Sequence, residues 1–158
     1  KFLLAIKADH WFVNNNISGT PILNKAISIY LMLKNKIDTS MDASIKDRES
    51  VNNIWRKIEL LLKYGADPNA SGPDGMNSLE LSVAEYDTKL IRLLISYEAD
   101  KHLRLERGGA YKKVVDKLTQ EEKYYNRIKK DPDISMSDIK YSKQKVEKLR
   151  KIYNLVKP

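Results

Sequence analysis

One segment of the chain occurs twice at a fixed offset, and this constrains the fold more than any other feature. Ile58-Glu59-Leu60-Leu61-Leu62-Lys63-Tyr64-Gly65-Ala66-Asp67 returns as Ile91-Arg92-Leu93-Leu94-Ile95-Ser96-Tyr97-Glu98-Ala99-Asp100, each residue 33 positions on. Periods of this length belong to repeat architectures, in which one unit cannot bury its apolar face alone and must stack on its neighbours. The apolar residues in each copy cover a broad helical face, so Leu60, Leu61, Leu93 and Leu94 are expected in a core between flanking units. Gly65 follows the first copy, where a helix end favours a residue that tolerates positive φ.

Around this period the chain reads as all-α. The turn Thr20-Pro21-Ile22-Leu23 carries a capping Thr and a Pro suited to a first helical turn, and opens a helix to Leu33. Asn77-Ser78-Leu79-Glu80, after Asp74-Gly75, is a more degenerate form of that turn. Between Thr20 and Gly65 lie 24 residues more than between Asn77 and Glu98. The excess is expected as a polar insertion at about 34–53, before a second helix at Val51 to Tyr64. A loop of that length is either functional or disordered. Past Gly108-Gly109-Ala110 the pattern fades, and Thr119-x-x-Glu122 reads as a capping box opening a further short helix that Asp131-Pro132 ends. From Ser137 to Val156, Ile139, Val146, Leu149, Tyr153 and Val156 share one side and Lys140, Lys143, Lys148 and Lys151 mostly the other, as a terminal cap requires. Phe2 to Val13 reads as the helical remnant of a preceding unit, and Lys1 as a cut within a longer protein.

Gly65-Ala66-Asp67-Pro68-Asn69-Ala70, together with the Thr-Pro turn and the 33-residue period, resembles the ankyrin-repeat family. Leu23 stands where that family has His. The resemblance implies a solenoid of stacked helix pairs over 1–136: a partial unit 1–16, a repeat 17–70 with the insertion, a repeat 71–103 and a degenerate repeat 104–130, followed by a capping helix at 137–158. It also implies protein recognition by a monomer through the turns and first helices. Carried over by offset, the partner-binding positions are Asn16, Ile17, Ser71, Pro73, Asp74, Met76, Ala84, Glu85, Arg104, Glu106 and Arg107. Met76, as an exposed apolar group, and Arg104 are the leading anchors.

A finer resemblance, to the C-terminal ankyrin domain of the OspC family of type III secreted bacterial effectors, rests on the Lys/Asn/Ile-rich composition and the basic helical end. It implies delivery by a bacterium into the host cytosol and capture of a host caspase. A separate NAD-using, ADP-ribosyltransferase-like domain would then carry the chemistry. Without that resemblance the expected location is cytoplasmic.

The remaining sequence offers little to a catalyst. Having no cysteine, the chain has no thiolate nucleophile, disulfide or Cys-bound metal. His10 and His102 stand far apart, and neither phosphate-cradling glycines nor a His-Glu-x-x-His pair occurs. This segment is therefore expected to be no enzyme and to need no metal or cofactor. Trp55 reads as core. Tyr64 and Tyr97, just before the repeated Ala-Asp, fit partner contact and ordinary packing equally, and Trp11 with Phe12 could form an exposed anchor. No apolar stretch approaches the roughly 20 residues of a membrane span. Charge is uneven: residues 1–100 hold 12 Lys and Arg against 13 Asp and Glu, residues 101–158 hold 17 against 8. The alternative function is thus an electrostatic binder of nucleic acid or another anionic surface through the basic C-terminal third, with nucleic acid disfavoured because no RNA-module motif accompanies the lysines.

Overall fold

The computed structural model describes residues 16–17, 20–40, 42, 44–103 and 109–157. Two two-residue strands, β1 (Asn16–Ile17) and β2 (Thr20–Pro21), pair antiparallel with Asn16 opposite Pro21 and Ile17 opposite Thr20. Six helices follow among the described residues: α1 (Ile22–Thr39), α2 (Ile45–Lys63), α3 (Ser78–Ala84), α4 (Thr88–Ser96), α5 (Ala110–Ile128) and α6 (Met136–Val156). The first helices α1, α3 and α5 touch in that order, while α1 pairs with α2, α3 with α4, and α5 with α6. The array is an all-helical stack of helix pairs, as the period requires.

Local chemistry sets most of the boundaries. Ser44 and Asp47 form a capping box at the start of α2, and Asn77 and Glu80 form another at α3. Ser135 caps α6 through its hydroxyl, which accepts from the Asp138 N–H at 3.2 Å. Such caps satisfy N–H groups that the helix itself leaves unpaired. After α2, Gly65 takes φ 87°; 33 residues later Glu98 occupies the matching place at φ 63° without glycine's freedom. Asn69 ties these two exits together, its Oδ1 accepting from the Asp100 N–H at 2.7 Å.

One apolar cluster runs through all six helices. It includes Leu23 and Ile27 of α1, Ile58 and Leu62 of α2, Leu79 and Val83 of α3, Leu90, Ile91 and Leu94 of α4, Val114 of α5, and Ile152 and Val156 of α6.

Several expectations need correction. The stretch at 34–53 is no loop: α1 runs on to Thr39 and α2 begins at Ile45, so the extra residues lengthen both helices and leave a short connection. Helix propensity and the Ser44 cap allow this because elongation costs no stacking contact. Thr119 starts nothing, since α5 is continuous from Ala110 to Ile128. Nor does Thr20 cap α1. The N-cap is Pro21, whose ring offers no acceptor. Of the four leucines expected in the core, Leu94 is fully buried and Leu61 and Leu93 are half-buried, but Leu60 is exposed. The face of α2 is wider than its neighbours can cover. Trp55 is half-buried, its ring 5.3 Å from that of Tyr30 and under the Lys89 ammonium at 3.8 Å, with Nε1 donating to Glu59. The expected capping helix is α6, begun one residue early. It pairs with α5 and contacts α4, so it is the second helix of the last pair. Its buried residues are Ser142, Val146, Leu149, Ile152 and Val156, whereas Ile139 and Tyr153 are only half-buried. Phe2 to Val13, with His10, Trp11 and Phe12, lies outside the described residues.

Candidate functional site

The turn before α3 has the most constrained backbone on the side formed by turns and first helices. Ser71 bridges Asn77. The Gly72 N–H donates to the Met76 carbonyl at 2.9 Å, and the Gly75 N–H to the Gly72 carbonyl at 2.9 Å. Asp74 Oδ1 accepts from the Met76 N–H at 3.0 Å, a local side-chain turn. Gly75 sits at φ 76°, which a side chain would oppose. Pro73 and Asp74 are thereby held exposed at the tip.

What fixes this turn to the neighbouring repeat is Asn24, on the first helix and 2% exposed. Its Nδ2 donates to the carbonyls of Ala70 (3.1 Å) and Met76 (3.2 Å), and its Oδ1 accepts from Ser78 Oγ at 2.6 Å. A buried amide with this many partners is satisfied and positions what it touches. The position next to Leu23, not Leu23 itself, does this work.

Between the turn and α1 lies a cavity of about 310 Å³ lined by Thr20, Asn24, Lys25, Ser28, Gly72, Pro73, Asp74 and Leu81. Lys25 and Asp74 are exposed and put opposite charges on its lining, while half-buried Leu81 adds an apolar surface. Ser28 Oγ already donates to the Asn24 carbonyl at 2.9 Å, so what it offers a visitor is an acceptor. Such a lining suits a side chain or loop from another protein, and it contains no nucleophile–base pair.

The structure brings together only some of the positions expected from sequence. Pro73 and Asp74 line the cavity, and Ser71 stands beside them in the bridge. Met76 is half-buried, contrary to the expectation of an exposed anchor, because its peptide group is bonded on both sides inside the turn. Ala84 and Glu85 sit at the far end of α3. The Ala84 carbonyl accepts from Lys117 Nζ at 3.1 Å, and Glu85 Oε2 accepts from Asn35 Nδ2 at 2.9 Å. Asn16 and Ile17 form β1, and Arg104, Glu106 and Arg107 lie outside the described residues. Thr20, Asn24, Lys25, Ser28 and Leu81 were missed. Aligning helix starts would have found Ser28: with N-caps at Pro21 and Asn77, it matches Ala84.

A second polar cluster lies under the α3–α4 turn and is structural. Asp87 is buried; its Oδ1 accepts from the Leu90 N–H at 3.0 Å, and its Oδ2 from Lys34 Nζ at 2.7 Å and the Tyr30 hydroxyl at 3.1 Å. Burial pushes its pKa up, but the Lys34, Leu90 and Tyr30 donors together outweigh burial and hold it below the usual carboxylate range. Tyr30 is pushed the other way, upward, by burial and by the Asp87 charge. Neither group is poised to exchange a proton near neutrality. His102 is an exposed turn residue, and no group of three or more metal-ligating side chains occurs among the described residues. No described helix is long and apolar enough to cross a membrane.

No family model matches the chain, and no solved structure matches it. It is similar to a protein of Treponema pallidum (strain Nichols) described as a "Putative ankyrin repeat-containing protein", with 36% identity over 75 residues. Those residues are 48% of this chain and 22% of that protein, so the chain spans less than a quarter of its relative. Stacked helix pairs joined by braced turns define the class of repeat solenoids. The repeated segment and the relative together make the chain similar to ankyrin-repeat proteins.

Proposed function

We propose that the chain is a protein-recognition module that holds its partner on the side formed by the turns and first helices, at the cavity between α1 and the Ser71–Asn77 turn. The observation that carries this is the turn itself: Asn24 and the internal hydrogen bonds fix Pro73 and Asp74 before any partner arrives, so little ordering cost accompanies binding. The ankyrin-repeat relative supports a protein partner. In the finer reading, which rests on the resemblance to OspC effectors, the module is a monomer acting in the host cytosol after bacterial secretion. Its captured partner is a host caspase. The NAD-dependent ADP-ribosyl chemistry belongs to a separate domain, and this segment needs no cofactor.

Capture from host-cell lysate, followed by titration with purified caspase, tests both levels. Charge reversal at Lys25 and Asp74, and truncation of Arg104 to Ala, should each weaken binding by at least about 1 kcal/mol. Reversal of Lys143 and Lys148 should matter less. The opposite ranking, with affinity collapsing as salt rises, would assign binding to the basic α6 surface instead. Retained binding to another protein with no affinity for caspase would remove the finer reading and leave the coarser one.

A further inference from the structure

A second surface lies on the other row of helices, between the last turns of α2 and those of α4. In α2 there are 19 residues, in its neighbour α4 only 9. Although α4 lies against α6, it barely touches α2. The groove left between them, about 420 Å³, is lined by Arg56, Glu59, Leu60 and Lys63 from α2 and by Leu93 and Tyr97 from α4. Leu60 is 49% exposed and Tyr97 37%. On α2 the spacing Arg56, Leu60, Lys63 sets one apolar group between two cations along a single helix face, and Leu93 and Tyr97 are likewise one turn apart. Arg56 and Lys63 are exposed and form no ion pair among the described residues. The Glu59 carboxylate is already held by Trp55 Nε1 at 2.6 Å.

We infer that this groove docks an acidic amphipathic helical segment of a partner protein, its apolar stripe on Leu60, Leu93 and Tyr97 and its carboxylates beside Arg56 and Lys63. Two helices bordering an apolar trough form a seat that a third helix fits, with anchors at i, i+4 and i+7. With two cations, Arg56 and Lys63, against the one Glu59 carboxylate, the rim stays net positive and selects against a basic segment, since like charges at the rim oppose docking and slow encounter. This surface is separate from the Asn24-braced turn, and the inference is independent of what binds there.

The test uses two synthetic peptides with Leu at helical spacing on one face, one carrying Glu and Ala on the other face and the second carrying Lys in place of Glu. Fluorescence anisotropy with the full chain should show the Glu peptide binding and the Lys peptide not. Amide shifts should appear at Leu60, Lys63, Leu93 and Tyr97. The double variant Arg56→Glu, Lys63→Glu should lose at least about tenfold in affinity for the Glu peptide and gain affinity for the Lys peptide. Both residues are exposed, so circular dichroism should stay unchanged. Asp74→Arg should leave the Glu peptide's affinity as it was. Equal binding of both peptides, shifts away from the groove, indifference to the double reversal, or no binding of the Glu peptide up to about 1 mM would each overturn the inference.

Discussion

The middle helix pair and the two outer pairs solve the same stacking problem at different lengths. In the middle, α3 and α4 have 7 and 9 residues; α1 and α2 have 18 and 19, and α5 and α6 have 19 and 21. Yet 9-residue α4 supplies Leu90, Ile91 and Leu94 to the common core, while 19-residue α2 supplies only Ile58 and Leu62. Burial follows the number of neighbouring helices and not helix length. The additional turns of the outer pairs are held largely within each pair, partly by exposed or half-exposed ion pairs such as Lys36–Asp47 and Arg150–Glu122.

The largest expected effect falls on the sandwiched pair. Leu94→Ala should destabilise by about 2–5 kcal/mol, since a fully buried leucine leaves a cavity on removal. Leu60→Ala, 34 residues earlier on the outer pair, should change stability by no more than about 0.5 kcal/mol. Chemical denaturation of both variants checks the contrast, and equal losses would break it. Next comes the bracket between pairs. Asn24→Ala leaves the Ala70 and Met76 carbonyls and the Ser78 hydroxyl short of a partner and should cost about 1–3 kcal/mol, again by denaturation.

The α1 contact with the α3–α4 turn should titrate. Because the folded-state pKa of Asp87 lies below its unfolded value, its contribution is fully present above the ordinary carboxylate range near 4 and is lost as pH falls through the lower folded value. Thermal melts between about pH 6 and pH 2 should therefore show a decline on the acid side, and Asp87→Asn should make that decline shallower. A smaller effect than at Asn24 is expected for Arg150→Ala on α6, which should lower stability by no more than about 1 kcal/mol in the same denaturation assay, because its pair with Glu122 is solvent-exposed.

Much of this was legible in the sequence where one residue type answers one local demand. Gly65 at positive φ follows from its place at the end of the repeated helix, whereas the Asn69 link between successive exits came only from the structure. Helix length was not legible. Thr119 and Glu122 have capping-box spacing, but a box needs a non-helical N-cap, and α5 already runs through both residues. Leu60 misled for a related reason: periodicity identifies an apolar face without saying how many helices cover it. At the candidate site, Pro73 and Asp74 were found because the turn matched its motif. Lys25 and Ser28 lie on α1 itself, whereas the motif pointed only to Asn16 and Ile17 ahead of that helix.

The unequal helix lengths also have a mechanical side. At about 1.5 Å per residue, α5 extends some 28 Å and α3 some 10 Å. The additional turns lie toward the hairpin end, because α1, α3 and α5 each start from the turn side of the stack. Any rotation of an outer pair about the short pair would therefore carry its tip through a wider arc than its root.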